Sequence, residues 1–209
     1  MSTPSGTTTR DIARAAIRAE LAQVAFDLFR QKGFDNVTLD DLARAAGVSR
    51  STYLRYFGTK EDAVLDTFDA MGDRVAEALR ARPTEESHWT ALRHGLDVAL
   101  EPYRQDPAEA LARTRLVRET PALSARQLQK QHSWRPILAR ALAERGQPVA
   151  TRPAGSGSPG ADHAALTHDV RAGAALECLN VALDAWTASE GRLDLVALLD
   201  EAFTALTLR

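Results

Sequence analysis

One cysteine in 209 residues, Cys178, leaves no partner for an intrachain disulfide framework. No stretch approaches the roughly 20 apolar residues of a membrane span, and the N-terminus has no apolar signal core. These absences predict a soluble protein of a reducing cytoplasm, with Cys178 as a buried, inert thiol inside an apolar helical pattern. There is no G-x-S-x-G, no phosphate loop and no dinucleotide fingerprint. The five histidines (His88, His94, His132, His163 and His168) include no i,i+4 pair, and one cysteine cannot build a zinc cluster. Glu85-x-x-His88 has the spacing of half a di-iron motif, but there is no second copy, and a surface turn is the simpler reading. No catalytic residue, metal or cofactor is therefore expected. No segment alternates with period two for long enough to be a strand, so the chain reads as all-α.

Net charge is also small, −2, which excludes a uniformly basic polyanion binder. Its distribution is uneven. Nine basic residues stand against six acidic ones through Lys60, giving +3 and leaving −5 for the remainder. A basic head on an acidic body suits a protein that meets nucleic acid at one end.

That head contains the most informative segment. Thr38 and Asp41 have capping-box spacing, and Leu39, Leu42, Ala43 and Ala46 form one apolar face of a short helix. Gly47 stands at a turn, Val48 packs into the elbow, and Ser49 caps a second helix. Arg50, Ser51, Thr52 and Arg55 lie on its outer side, with Phe57 and the Tyr53 ring as inner anchors. The pattern is a helix-turn-helix, whose second helix can enter a major groove. Tyr56 to Asp62 then closes that helix and opens another, Thr59 and Asp62 repeating the capping spacing. Lys60 opposes the positive helix end, which a nearby phosphate would explain.

Residues from about Ala13 to Leu65 resemble the DNA-binding domain of the TetR family of bacterial ligand-responsive regulators. The resemblance rests on Ala25-Phe26-Asp27-Leu28-Phe29, Lys32-Gly33-Phe34, Val37 to Ala43, Ala46-Gly47-Val48-Ser49 and Tyr56 to Asp62. It departs at Tyr53-Leu54, where the family commonly has Leu-Tyr, so Leu54 occupies the usual DNA-facing tyrosine position. The resemblance implies base contacts from Arg50, Ser51, Thr52 and Arg55, a thymine-methyl contact from Leu54, and phosphate contacts from Thr38, Ser49, Tyr56 and Lys60. It also places the Arg10, Arg14 and Arg18 stripe near DNA, against phosphates or a minor groove.

Residues 1–9 read as a disordered tail, 10–59 as the DNA-binding head and 60–209 as an effector-binding and dimerisation domain with a flexible loop at 147–160. About nine helices are expected. The first has Ile17, Leu21, Val24 and Leu28 as its core face. A long one runs from Lys60 to about Arg80, and the next carries Trp89, Leu92, Leu96, Ala99 and Tyr103, kinked or ended by Pro102. Pro107 and Pro121 open two more, and the last two span about 161–190 and 193–208. The penultimate helix has one apolar stripe of Leu176, Leu179, Leu183 and Trp186 and a second of Val170, Ala174, Cys178, Val181 and Ala185. Burial on two sides follows, by a twofold partner or by a larger monomeric core. The family pairs its last two helices into a dimer interface, to which Leu195, Leu199, Ala202 and Leu206 would contribute. A polar stripe of Glu177, Asn180, Asp184 and Thr187 faces either solvent or a cavity.

The resemblance further implies an effector pocket in the body. Phe68, Trp89, Leu96, Leu116, Trp134 and Trp186 would form its wall, and Arg115, Arg118, Glu119, Arg135 and Asn180 would orient the ligand. Arg115 to Leu123 and Gln131-x-x-Trp134 resemble a branch of the family associated with acyl-CoA or other lipophilic effectors. The expectation is a homodimeric repressor released from palindromic double-stranded operator DNA by such a ligand, with no membrane partner. A helical-bundle binding protein or enzyme that does not use its head is the competing reading. A nonspecific nucleoid-type binder is disfavoured by the acidic body.

Overall fold

Local capping chemistry starts most of the helices. In the computed structural model, which describes residues 8–145 and 159–207, eleven helical segments and no strand occur among the described residues. They are α1 (Thr9–Lys32), α2 (Leu39–Ala45), α3 (Arg50–Tyr56), α4 (Lys60–Val64), α5 (Phe68–Arg80), α6 (His88–Gly95), α7 (Asp97–Gln105), α8 (Pro107–Glu119), α9 (Pro121–Arg145), α10 (Pro159–Ala188) and α11 (Leu195–Ala205). Thr8, Thr38, Ser49, Thr59, Ser87 and Asp194 each accept a backbone N–H of the first turn that follows. Pro107 and Pro121 open α8 and α9, where a missing N–H costs nothing.

Two expected helices are each broken in two, so nine become eleven. The span from Lys60 to Arg80 is interrupted between Val64 and Phe68, and the span from Ser87 to Tyr103 at Leu96. Pro102 lies inside α7 without ending it. At the N-terminus, the expected tail of residues 1–9 is too long. Thr8 and Asp11 form a reciprocal capping box and the helix begins at Thr9; residues 1–7 lie outside the described residues. Likewise, of the expected loop 147–160, Pro159 and Gly160 already belong to α10, and 147–158 lie outside the described residues.

The chain divides into two compact units, Met1–Asp66 with Leu116–Ser124, and Thr67–Arg115 with Ala125–Arg209. The division therefore falls after Asp66 rather than after residue 59, and residues 116–124 belong with the head unit. In that unit Ala25, Phe26, Phe29, Phe34, Val37, Leu42, Tyr53, Phe57, Ala63 and Leu65 are buried. The α1 core face turns on Leu21, Ala22, Ala25, Phe26 and Phe29, while Ile17 is 47% exposed. Two phenylalanines outweigh the aliphatic stripe, because a fully buried large side chain contributes about 1.5–3 kcal/mol.

The core of the second unit joins Leu79, Leu92, Leu96, Leu100, Leu138, Leu142, Leu176 and Leu199. Leu176, Leu179, Leu183 and Trp186 of α10 are all buried, as their stripe predicts. The second α10 stripe is not uniform: Cys178 is buried and Val170 and Val181 are exposed. The Cys178 thiol donates to the Ala202 carbonyl at 3.6 Å, and burial pushes its pKa up. On α11, Leu195 and Leu199 pack inward with Phe203 instead of facing outward, leaving Leu206 exposed. The polar stripe splits too: Asn180 is buried, whereas Glu177 and Asp184 are exposed.

Candidate nucleic-acid interface

The turn between α2 and α3 follows from two backbone requirements. Gly47 takes φ +67°, a left-handed conformation that a side chain disfavours. The Val48 N–H donates to the Ala43 carbonyl at 3.0 Å, so the end of α2 is satisfied as the chain reverses. Thr38 closes the other end of α2: its hydroxyl accepts the Asp41 N–H at 3.2 Å, and Asp41 Oδ2 accepts the Thr38 N–H at 3.0 Å. The Thr38 side-chain and backbone hydrogen bonds hold the Asp41 carboxyl below its ordinary range.

α3 is fixed from inside. Tyr53 and Phe57 are buried, their rings 5.4 Å apart, and burial pushes the Tyr53 phenol far up. Arg18 stabilises the end of the helix, donating to the Tyr56 carbonyl at 3.0 Å, pairing with Asp66 and lying 5.0 Å from the Phe57 ring centroid. It therefore differs from Arg10 and Arg14, with which it shares a stripe in the sequence.

The opposite side of α3 is open. Arg50, Ser51 and Arg55 are exposed, Thr52 is half-buried, and Leu54 is 37% exposed. Arg50 makes only long contacts, 3.3 and 3.4 Å, to the exposed Asp40 carboxylate, a pairing worth little in water. The Ser49 hydroxyl accepts the Thr52 N–H at 3.1 Å and donates to Thr52 Oγ1 at 2.9 Å. Beside this surface, Arg10, Ala13, Arg14, Ile17, Arg55 and Tyr56 line a concavity of about 300 Å³. Three guanidinium groups, an aromatic ring and two apolar side chains thus meet where α1 passes the end of α3. Their chemistry suits a phosphate backbone. The spacing of Arg10 and Arg14 signals this groove in the sequence; the participation of Ile17 does not show there.

Lys60 has an intramolecular explanation. Its ammonium donates to the Phe34 carbonyl at 2.9 Å and the Val37 carbonyl at 3.3 Å, and it lies 4.1 Å from the Phe34 ring centroid. The lysine ties the α1–α2 connection to the start of α4, so no phosphate is needed to account for it.

The residues expected to line an effector pocket separate into packed pairs. Phe68 and Trp134 stack 5.6 Å apart, and the Trp134 indole donates to the Phe68 carbonyl at 3.2 Å. Trp89 lies 4.4 Å from Phe203 and donates to its carbonyl at 3.1 Å, and Trp186 meets Tyr103 edge to face at 5.3 Å. Leu96 is fully buried, and Arg115 approaches Glu190 at 3.8 Å. Leu116, Arg118 and Glu119 belong to the other unit. Within the body, the buried polar side chains include Thr114, Gln127, Gln131 and Asn180. Gln127 Oε1, Arg135 Nε and Asn180 Oδ1 are buried with no hydrogen-bond partner among the described residues. Gln127 has no motif around it and carries no signal in the sequence.

A basic, outward-facing second helix on a capped helix-turn-helix defines a DNA-binding protein. Residues 21–66 match the family model described as bacterial regulatory proteins, tetR family, and residues 86–209 match the MftR C-terminal domain. The chain belongs to the tetR family of bacterial regulatory proteins. It is 31% identical over 150 residues to the HTH-type transcriptional regulator TcmR of Streptomyces glaucescens, a match covering 69% of this chain and 66% of that one. It is also similar to the solved structure of Thermus thermophilus FadR, a TetR family transcriptional repressor in complex with lauroyl-CoA. There the TM-score is 0.54 at 22% identity, over 91% of this chain and 93% of that one. The Bacillus subtilis transcriptional regulator FadR in complex with stearoyl-CoA gives a TM-score of 0.55 at 19% identity, over 90% and 96% of the two chains. No described helix is long and apolar enough to cross a membrane.

Proposed function

We propose that the protein is a homodimeric repressor, released from a near-palindromic operator in the cytoplasm by a small lipophilic effector. The observation that carries this reading is the open face of α3, where Arg50, Ser51, Leu54 and Arg55 are presented by a helix whose inner face is locked by Tyr53, Phe57 and Arg18. In this reading α3 enters the major groove, Arg50, Ser51, Thr52 and Arg55 read base edges, and Leu54 touches a thymine methyl. Thr38, Ser49 and Tyr56 meet the backbone, and Lys60 retains one N–H for a phosphate while holding its two carbonyls. Arg10 and Arg14 extend the contact beside Arg55.

A second copy supplies the other half-site. Leu166, Val170 and Val181 of α10 share one helical face and are 62%, 61% and 52% exposed, which supports a twofold interface built on α10 and α11. For the effector, the two FadR structures hold acyl-CoA molecules, which favours an acyl-CoA or another lipophilic compound here. The unpartnered buried groups of Gln127, Arg135 and Asn180 supply polar orienters inside the body. Release from DNA requires that the ligand bind the DNA-free state more tightly than the DNA-bound state. We assign the chain no catalysis.

Selection of bound sequences from a random duplex pool, at two salt concentrations, tests this reading. A two-half-site palindrome is expected, and its absence at both concentrations overturns it. Arg55→Ala is expected to lose about 1–3 kcal/mol of operator affinity and to relax preference at one base position. An unchanged ratio of operator to scrambled-duplex binding would exclude base reading by Arg55.

A further inference from the structure

At one place in the body, four basic side chains converge from three helices. His88 opens α6, His168 and Arg171 come from α10, and Arg145 ends α9. The two imidazoles meet edge to face, ring centroids 5.1 Å apart. Arg171 Nη1 lies 3.2 Å from His88 Nδ1. A guanidinium can only donate, so His88 Nδ1 accepts and its ring proton sits on Nε2. Arg145 Nη2 donates to the Pro83 carbonyl at 2.5 Å and the Glu86 carbonyl at 3.4 Å. Its Nε and Nη1 are buried with no hydrogen-bond partner among the described residues.

Among the described residues, no carboxylate is among the charges acting on either imidazole. The Glu86 carboxylate is engaged with Arg82, at 2.9 Å from its Nε, and with His94 at 3.7 Å. The charges acting on His88 come from His168, Arg171 and Arg145, all of one sign, and Arg171 acts likewise on His168. Burial first, and then these charges, hold both imidazoles below the ordinary histidine range. The positive end of α6 adds to the same field. Unused, buried donors beside like charges, on the acidic part of the chain, match a site completed by an anion.

We propose that His88, Arg145, His168 and Arg171 form a binding site for a phosphate-type oxyanion, free or as a phosphomonoester. Arg145 offers Nε and Nη1, His88 its Nε2–H, Arg171 and a protonated His168 the remaining donors, and the ligand's charge offsets the repulsion among them. Binding strengthens as the pH falls, because the anion stabilises the imidazolium form of His168. Without ligand the sign is opposite for the fold. Depressed histidine pKa values contribute stability that is present above the ordinary histidine range and lost as the pH falls through the lowered values.

The test is thermal unfolding of the full chain with inorganic phosphate, and in parallel glycerol phosphate, against sodium chloride of equal ionic strength. Saturable stabilisation is expected, with affinity about tenfold higher near pH 6 than near pH 8. The tighter of the two ligands identifies the free ion or the ester as the occupant. Arg171→Gln, a change at an exposed side chain, is expected to weaken binding about tenfold while operator binding in the same sample is retained. A His88→Asn/His168→Asn variant is expected to keep binding but lose the strengthening towards low pH, leaving only the dependence set by the ligand's own second ionisation at about pH 6–7. Stabilisation no greater than that by chloride, an Arg171→Gln response equal to wild type, or a pH dependence identical in the wild type and the double variant overturns the site.

Discussion

At the scale of single residues, Lys60 shows how a charge acquires its meaning from its neighbours. In the sequence it stands at a helix start, where the dipole opposes it. In the fold it bridges Phe34 and Val37 carbonyls and covers the Phe34 ring. Lys60→Met keeps the stem and removes both hydrogen bonds, so the head should lose about 1.5–3 kcal/mol, the usual contribution of a hydrogen bond to a charged group. Urea unfolding of the full chain, followed through the head, measures this. A variant as stable as wild type, with only a flatter salt dependence of DNA affinity, would make Lys60 a phosphate ligand and nothing more. Arg18 makes a similar point, since it shares the spacing of Arg10 and Arg14 and yet is committed to Tyr56, Phe57 and Asp66.

At the scale of elements, two glycines separate conformational from steric demand. Gly47 has φ +67° and open space where a Cβ would stand, so Gly47→Ala meets only backbone strain, about 1–2 kcal/mol. Gly72 lies in α5, and a Cβ there would come within 2.6 Å of Trp134 Cδ1. Trp134 is stacked on Phe68 and bonded through its indole, so it cannot yield cheaply, and Gly72→Ala should cost about 1–3 kcal/mol despite the better helix propensity of alanine. Melting temperatures of the two variants check both, and a stabilised Gly72→Ala would show that the indole moves freely. The same elements show what the sequence made legible. Capping pairs such as Thr38 with Asp41, the turn at Gly47 and the prolines at 107 and 121 act through neighbours a few residues away, and they appear where expected. The break after Val64 contains neither glycine nor proline, and the break at Leu96 follows Gly95, which lies against Leu79 of α5, a neighbour remote in sequence. Ile17 and Leu199 fit their helical periods equally well facing in or out; Phe26, Phe29 and Phe203 decided which, and their partners are remote in sequence.

For the whole molecule, the proposed dimer would make two heads act as one. A seven-residue recognition helix makes few contacts alone, and two heads held together convert the second binding event into an intramolecular one. The apolar face of Leu166, Val170 and Val181 is the proposed joint, with Glu177 and Asp184 flanking Val181 on the same side of α10. In a twofold interface a substitution meets its own copy or its near neighbours. Val181→Glu would therefore place an extra carboxylate from each subunit into a face that already carries two. Dimer affinity should fall by on the order of a hundredfold, the cost of desolvating the added carboxylates beside like charges in an interface. Because Val181 is already exposed in the single chain, its replacement should leave helicity and monomer stability unchanged by circular dichroism. Light scattering at micromolar concentration should then report the monomer mass. Operator affinity should drop towards that of one half-site, while affinity for a half-site duplex stays the same. A variant that retains the dimer mass would remove α10 from the interface. A monomer that retains full operator affinity would show instead that the heads read DNA independently.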